Sequence, residues 1–350
     1  MKIDSCFLVS VMKNDVKSIS KRLIKNIGYC DLISAIVYTM RGKTIDYKNI
    51  EECLNVMRRK FTFDKIDKSL VAARMSLVDE KDMYLADIVD VYRKVEKGRL
   101  ERTLMAGLAS VIICDAGKAQ EADSVLKEAE NLWEKMKKNH PENIEDADLC
   151  SAILLVLTGK STYDILVELE NVYSQLETCF EGREDLAYAL CRLFATYNEN
   201  VESKCEKIIR LTDKLRERHI IYGKKSEYAI VGLLADILVD AKEIVSDVSK
   251  VCDYLSKQSG FGNLYMGAQT RSAFAFMIVY LSYYRDGLTM SSKDGDTATP
   301  RATVHRTILY SIMNLILKYK KQDYENVPES LDMLMDMTDL MLDMTGHRLI

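Results

Sequence analysis

The chain has 350 residues, of which 48% are apolar and 29% charged, and 49 Lys+Arg against 53 Asp+Glu leave a formal net charge of −4. That balance excludes wholesale disorder. With only 3 Pro and 15 Gly, the chain lacks the turn residues that a sheet-rich protein needs every ~8–12 positions, so it reads as all-α.

Residues 1–60 read as an N-terminal helical cap of three helices, near 5–26, 29–40 and 46–60. The opening stretch MKIDSCFLVSVMKND is interrupted by Asp4 and Ser5, and no secretory leader is expected. The third helix, NIEECLNVMRRKF, should turn Leu54 and Met57 inward. It ends on a basic cluster, Arg58, Arg59 and Lys60. This first segment holds 12 Lys+Arg and 6 Asp+Glu, whereas the remainder holds 37 and 47.

From 61 to 285 the sequence matches itself at a step of about forty residues, read as helix-pair repeats. Five segments place one apolar residue four positions before another: VDVYRKVEKG, ENLWEKMKKN, ENVYSQLETC, IRLTDKLRER and SKVCDYLSKQ. Their anchors are Val91, Leu132, Val172, Leu211 and Val251, at steps of 41, 40, 39 and 40. The partners are Val95, Met136, Leu176, Leu215 and Leu255. Charged residues fill the other face, which describes amphipathic outer helices. Trp133 follows its anchor as Tyr92 and Tyr173 follow theirs, so an aromatic slot is expected at the seam between units.

Inner helices precede these segments, at 70–78, 104–114, 149–157, 186–197, 228–239 and 273–284. They are apolar nearly all round, as in LCSAILLVL and AFAFMIVYLSYY, and are expected to be buried on most sides. Gly98, Gly117, Gly159, Gly182, Gly223 and Gly287 fall near helix ends, where a left-handed residue is useful. Asp146, Asp148 and Ser226 stand as N-caps or first-turn acids of inner helices. A helix pair that cannot bury its own apolar face does so by stacking on the next. The expected architecture is an α-solenoid-like stack of antiparallel helix pairs in one continuous helical domain.

Residues 286–300 form a polar loop, expected to be flexible, and 301–350 a C-terminal helical pair. The last helix, LDMLMDMTDLMLDM, sets Asp332, Asp336, Asp339 and Asp343 beside a stripe of Met333, Met337, Leu340 and Met344. The acids read as a solvated face. The Met-rich stripe is a candidate surface for homo-oligomer formation.

The pattern from FTFDKIDKSLVAARMSLV to SKQSGFGNLYMGAQTRSAFAFMIVY resembles an uncharacterised all-helical family, a domain of unknown function common in Firmicutes bacteria. The resemblance spans roughly residues 45–285. Its most recognisable piece is Gly260-Phe261-Gly262-Asn263, followed by Arg271 at the start of an apolar helix. It implies a helical fold and carries no activity with it.

No catalytic signature appears. His140, His219, His305 and His347 are scattered and lack metal-ligand spacing. Nine Cys, none in a C-x-x-C pair, read as reduced, buried thiols of a cytoplasmic protein. The Gly260–Gly262 stretch has no preceding strand and reads as a helix end and tight turn, not a phosphate loop. No metal and no cofactor are expected. The longest apolar run, 273–284, is shorter than the ~20 residues that span a bilayer, so no membrane is expected.

The leading expectation is a non-catalytic protein–protein interaction scaffold whose concave face takes a protein or peptide. Candidate partner-binding residues are Tyr222, Tyr228, Phe261, Asn263, Tyr265 and Arg271, types and positions suited to a binding hot spot. The alternative is a nucleic-acid-associated accessory protein using the basic patch Arg58, Arg59 and Lys60, against which stands a sequence pI of 5.8. An enzyme with an unrecognised site between helices ranks third.

Overall fold

The structure, a computed structural model, describes residues 37–38, 43, 45–60, 65–98, 106–180, 184–196, 200–220, 225–257 and 268–290. Among the described residues there are twelve α-helices and no strand, so the protein is all-α. They are α1 (Tyr47–Lys60), α2 (Lys65–Met75), α3 (Lys81–Glu96), α4 (Ala106–Asp115), α5 (Ala122–Asn139) and α6 (Leu149–Val156). The second half comprises α7 (Thr162–Leu176), α8 (Glu184–Phe194), α9 (Val201–Glu217), α10 (Lys225–Leu234), α11 (Ala241–Ser256) and α12 (Ala268–Arg285).

The odd-numbered helices are the amphipathic ones. All five anchors and all five partners are buried, as are Leu54 and Met57 of α1. The N-cap residues of α3, α5, α7, α9 and α11 are Glu80, Glu121, Ser161, Asn200 and Asp240. Each stands eleven positions before its anchor (161 against 172, for instance). The last three act chemically. Ser161 Oγ accepts from the Asp164 N–H at 3.1 Å, Asn200 Oδ1 from Glu202 at 2.8 Å and Asp240 Oδ1 from Lys242 at 2.8 Å, each satisfying a first-turn donor.

Of the N-caps or first-turn acids expected at Asp146, Asp148 and Ser226, Asp148 stands at the N-cap of α6 but makes no side-chain cap bond there. Asp148 precedes α6, but its carboxylate accepts from the Glu145 N–H at 2.9 Å and pairs with Arg192. Asp146 lies in a short 3-10 turn, and Ser226 is already the second residue of α10. A charged partner within reach outcompetes a helix-end amide for a carboxylate.

The described side chains of the even-numbered helices are enclosed. Ala106–Ile113 of α4 and Ser272–Tyr283 of α12 are buried without interruption, and among the described residues of even helices only Glu184 is fully exposed. Each odd helix packs on the even helix that follows it, and α3, α5, α7, α9 and α11 touch in sequence. Along the even layer α2 packs on α4 and α4 on α6, and separately α8 packs on α10 and α10 on α12. Gly232 lets α10 approach α8, since a Cβ there would meet Leu193 Cδ2 at 2.5 Å. Gly117 (φ 70°) and Gly159 (φ 76°) supply left-handed turns just beyond α4 and α6.

Trp133 is 2% exposed and donates its Nε1–H to Glu145 O at 3.0 Å, while Tyr92 and Tyr173 are half-buried against the core. The seam position is therefore apolar in all three units, and fully closed at the Trp. The helix expected over 228–239 stops at Leu234. Beyond it, Ile237 and Thr289 make an isolated antiparallel bridge. The Leu238 N–H donates to Leu288 O at 2.9 Å, and the Met290 N–H to Asp236 O at 3.0 Å. Asp236 is itself held by the Tyr280 hydroxyl at 3.1 Å. The start of the loop expected over 286–300 is thus docked, with Thr289 buried. The helices expected near 5–26, 302–320 and 328–346, with the Met-rich stripe, lie outside the described residues.

Candidate functional site

Helix α7 is pinned to its neighbours by charge. Its inward stripe, Ile165, Leu169, Val172 and Leu176, is buried. On one flank Glu168 Oε1 accepts from Lys204 Nζ at 2.5 Å, and Glu168 Oε2 from Lys160 Nζ at 2.6 Å. Lys204, on α9, is fully buried. Both ammonium groups also donate to the end of α8, Lys204 to Phe194 O and Lys160 to Ala195 O, each at 2.8 Å. Cations at a helix C-terminus meet the negative end of the dipole and satisfy carbonyls that lack intrahelical donors. One carboxylate and two ammonium groups therefore tie α7, α8 and α9 together.

On the other flank Glu170 receives Asn139 Nδ2–H at 3.1 Å, and His140 Nε2 lies 3.1 Å from both of its oxygens. The His140 ring contacts Tyr173 edge-on at 4.7 Å and Tyr188 at 4.5 Å between centroids. The Arg192 guanidinium lies over Tyr188 at 5.9 Å and pairs with Asp148. The Tyr188 hydroxyl is buried without a hydrogen-bond partner, and burial pushes its pKa well above the ordinary phenol value. This seam joins the C-terminal end of α5 to α6, α7 and α8.

The opposite face of α7 is open. In all five odd helices from α3 to α11 the second residue after the cap is exposed. Four of them place a charge there: Asp82, Asp123, Glu202 and Lys242; α7 places Tyr163, 74% exposed. Six positions after the cap the others carry Ala86, Lys127, Glu206 and Ser246, whereas α7 carries Val167, 40% exposed. Tyr163 and Val167 are one helical turn apart on one face, with Leu166 partly buried beside them. Met83 of α3 and Leu238 are exposed singly, which is ordinary for a protein surface.

Of the residues expected from the sequence to form a site, the structure describes the side chain of Arg271. Arg271 is on the first turn of α12 and half-buried. Tyr222, Phe261, Asn263 and Tyr265 lie outside the described residues, as do the side chains of Tyr228 on α10 and of Arg58, Arg59 and Lys60 at the end of α1. The inner helices, expected to be buried on most sides, are so wherever their side chains are described. The α7 face was legible in principle, since aligning the five odd helices on their anchors sets Tyr163 and Val167 against charged or small residues. Among the described residues no three His, Cys, Asp or Glu side chains are grouped to hold a metal, and no helix is long and apolar enough to cross a membrane.

A family model described as a protein of unknown function, DUF4003, matches residues 17–320. The chain belongs to the DUF4003 family. The match passes the expected 45–285 at both ends, taking in most of the N-terminal cap and the stretch beyond α12. Comparison with curated proteins and with solved structures finds no match. For this DUF4003 protein the functional argument therefore rests on its own surface and charges.

Proposed function

We propose that the protein is a non-catalytic protein-interaction scaffold, built as a solenoid-like stack with a repeat of about forty residues. The equal cap-to-anchor distance in five successive odd helices supports the repeat. The observation that carries the function is the outer face of α7, where Tyr163 and Val167 are exposed at positions that carry charged or small residues in the sister helices. Leaving a tyrosine ring and a valine in water has no benefit to the fold, and contiguous exposed apolar surface on a rigid element marks an interaction site. The partner surface is then the outer, odd-helix layer. All seven cysteines among the described residues are free thiols, which supports a cytoplasmic setting.

The test is affinity capture with the full chain, with and without nuclease, beside a Tyr163→Ser/Val167→Ser variant. A protein recovered despite nuclease by the native chain and lost by the variant is the expected result. Recovery that depends on nucleic acid, or that the variant retains, overturns the reading and in the first case favours a nucleic-acid accessory role.

A further inference from the structure

The charge pattern around Tyr163 and Val167 goes further than their exposure. Residues 161–180, covering α7 and the 3-10 turn after it, contain Asp164, Glu168, Glu170 and Glu177 and no Lys or Arg. The sister helices interleave both signs. Three of them, α3, α9 and α11, carry ion pairs within the helix: Asp90 with Lys94, Glu206 with Arg210, Glu217 with Lys214 and Asp247 with Lys250. On α7, Glu168 and Glu170 point to the flanks and are taken up by Lys160, Lys204 and His140. Asp164 and Glu177 are left exposed at the two ends of the helix. Asp164 accepts from the Ser161 hydroxyl at 2.6 Å, and the helix offers neither acid a cation of its own. An incoming cation would displace no intrahelical ion pair.

We propose that the outer face of α7 receives a basic amphipathic helix of a partner protein, an inference that rests on the scaffold reading above. An aliphatic side chain of the partner seats between Tyr163 and Val167. Lys or Arg residues to either side of it reach Asp164 and Glu177, which are thirteen residues apart and so about 20 Å along the axis. Asn171 and Ser174, exposed between them, supply a neutral, hydrogen-bonding floor. The two charged flanks pin α7 in place before binding, so little ordering cost falls on the complex. Electrostatic attraction sets orientation and encounter rate, and the Tyr163–Val167 anchor sets affinity.

The test titrates the full chain with a fluorescent Leu/Lys model helix and, in parallel, a Leu/Glu helix of equal length, following anisotropy. The Leu/Lys helix should bind, with an affinity that falls as salt rises, and the Leu/Glu helix should not. Tyr163→Ser/Val167→Ser should weaken Leu/Lys binding by about ten-fold or more. Asp164→Asn/Glu177→Gln should flatten the salt dependence. Glu202→Ser/Glu206→Ser, the same positions on α9, should leave binding unchanged. Each variant is checked for native helicity by circular dichroism, and all these sites are exposed. Binding that the α7 variants do not alter, or equal binding of both peptides, overturns the proposal. If capture of a protein partner is still lost with Tyr163→Ser/Val167→Ser while the peptides show no preference, the scaffold stands and the basic-helix partner falls.

Discussion

Trp133 concentrates more packing than any neighbouring seam residue, because its indole is buried and its N–H satisfied by Glu145 O. Trp133→Ala should cost about 3–5 kcal/mol in a chemical melt, the range for truncating a buried aromatic. His219 has the reverse character. It sits one residue past the cap of α9, exposed, at φ 54°, with its N–H donating to Arg216 O at 2.9 Å. An L-residue with a Cβ is strained in that region and glycine is not. His219→Gly should therefore stabilise by about 0.5–1 kcal/mol, read as a higher melting temperature. Among the thiols, Cys179 is exposed and Cys205 is buried, with burial pushing its pKa up to about 11. Thiol labelling of the native protein at about pH 8 should modify Cys179 before Cys205 and leave Cys205 intact until denaturant is added.

At the scale of the element, α7 is distinguished by how it is held. Lys204 is fully buried, whereas Lys160 keeps part of its side chain in water. Lys204→Met leaves Glu168 short of one cation and removes the bond to Phe194 O, at a cost of about 3 kcal/mol. Lys160→Met should cost under about 1 kcal/mol, since water replaces the lost donor. Urea titrations of the two variants compare these directly, and equal losses would mean that burial does not set the strength of the tie. A second buried tie, Arg74 to Asp115, is bidentate at 2.7 and 2.8 Å and takes a third bond from the Tyr84 hydroxyl at 2.9 Å. It does for α2, α3 and α4 what Glu168 does for α7, α8 and α9.

Across the whole molecule, acidic protons held in the core give stability a pH dependence. Burial raises the pKa values of Cys114, Cys191, Cys205 and Cys252 above the ordinary thiol value of 9.0, and those of Tyr84, Tyr188 and Tyr283 above the phenol value of 10.0. Because the folded values are raised, the folded chain holds these protons more tightly than the unfolded chain. The contribution is complete below the unfolded value and is lost as pH rises toward the folded one. Melting temperature should therefore be level up to about pH 8.5 and fall from about pH 9. Cys205 and Cys252, at about 11, titrate within that window. Cys205→Ala/Cys252→Ala should make the decline between pH 9 and 11 shallower, and an unchanged slope would assign it to other groups.

Helix class, the alternation of amphipathic and apolar helices and the ten inward anchor residues were legible because they are local. They depend on a 3.6-residue period and on the scarcity of Pro and Gly. Helix ends were less legible: the segment 235–239 is apolar enough for a helix, yet Asp236 and Leu238 are claimed by Tyr280, Met290 and Leu288 from far along the chain. The charged ties were not legible at all. Lys204 and Glu168 are 36 residues apart, and Arg74 and Asp115 are 41 apart. A lysine on a helix reads the same in sequence whether it is solvated or fully buried. Which it becomes is decided when neighbouring helices stack and water leaves, since only then does the cost of desolvation demand a partner. The same stacking decides that Tyr163 and Val167 of α7 stay in water.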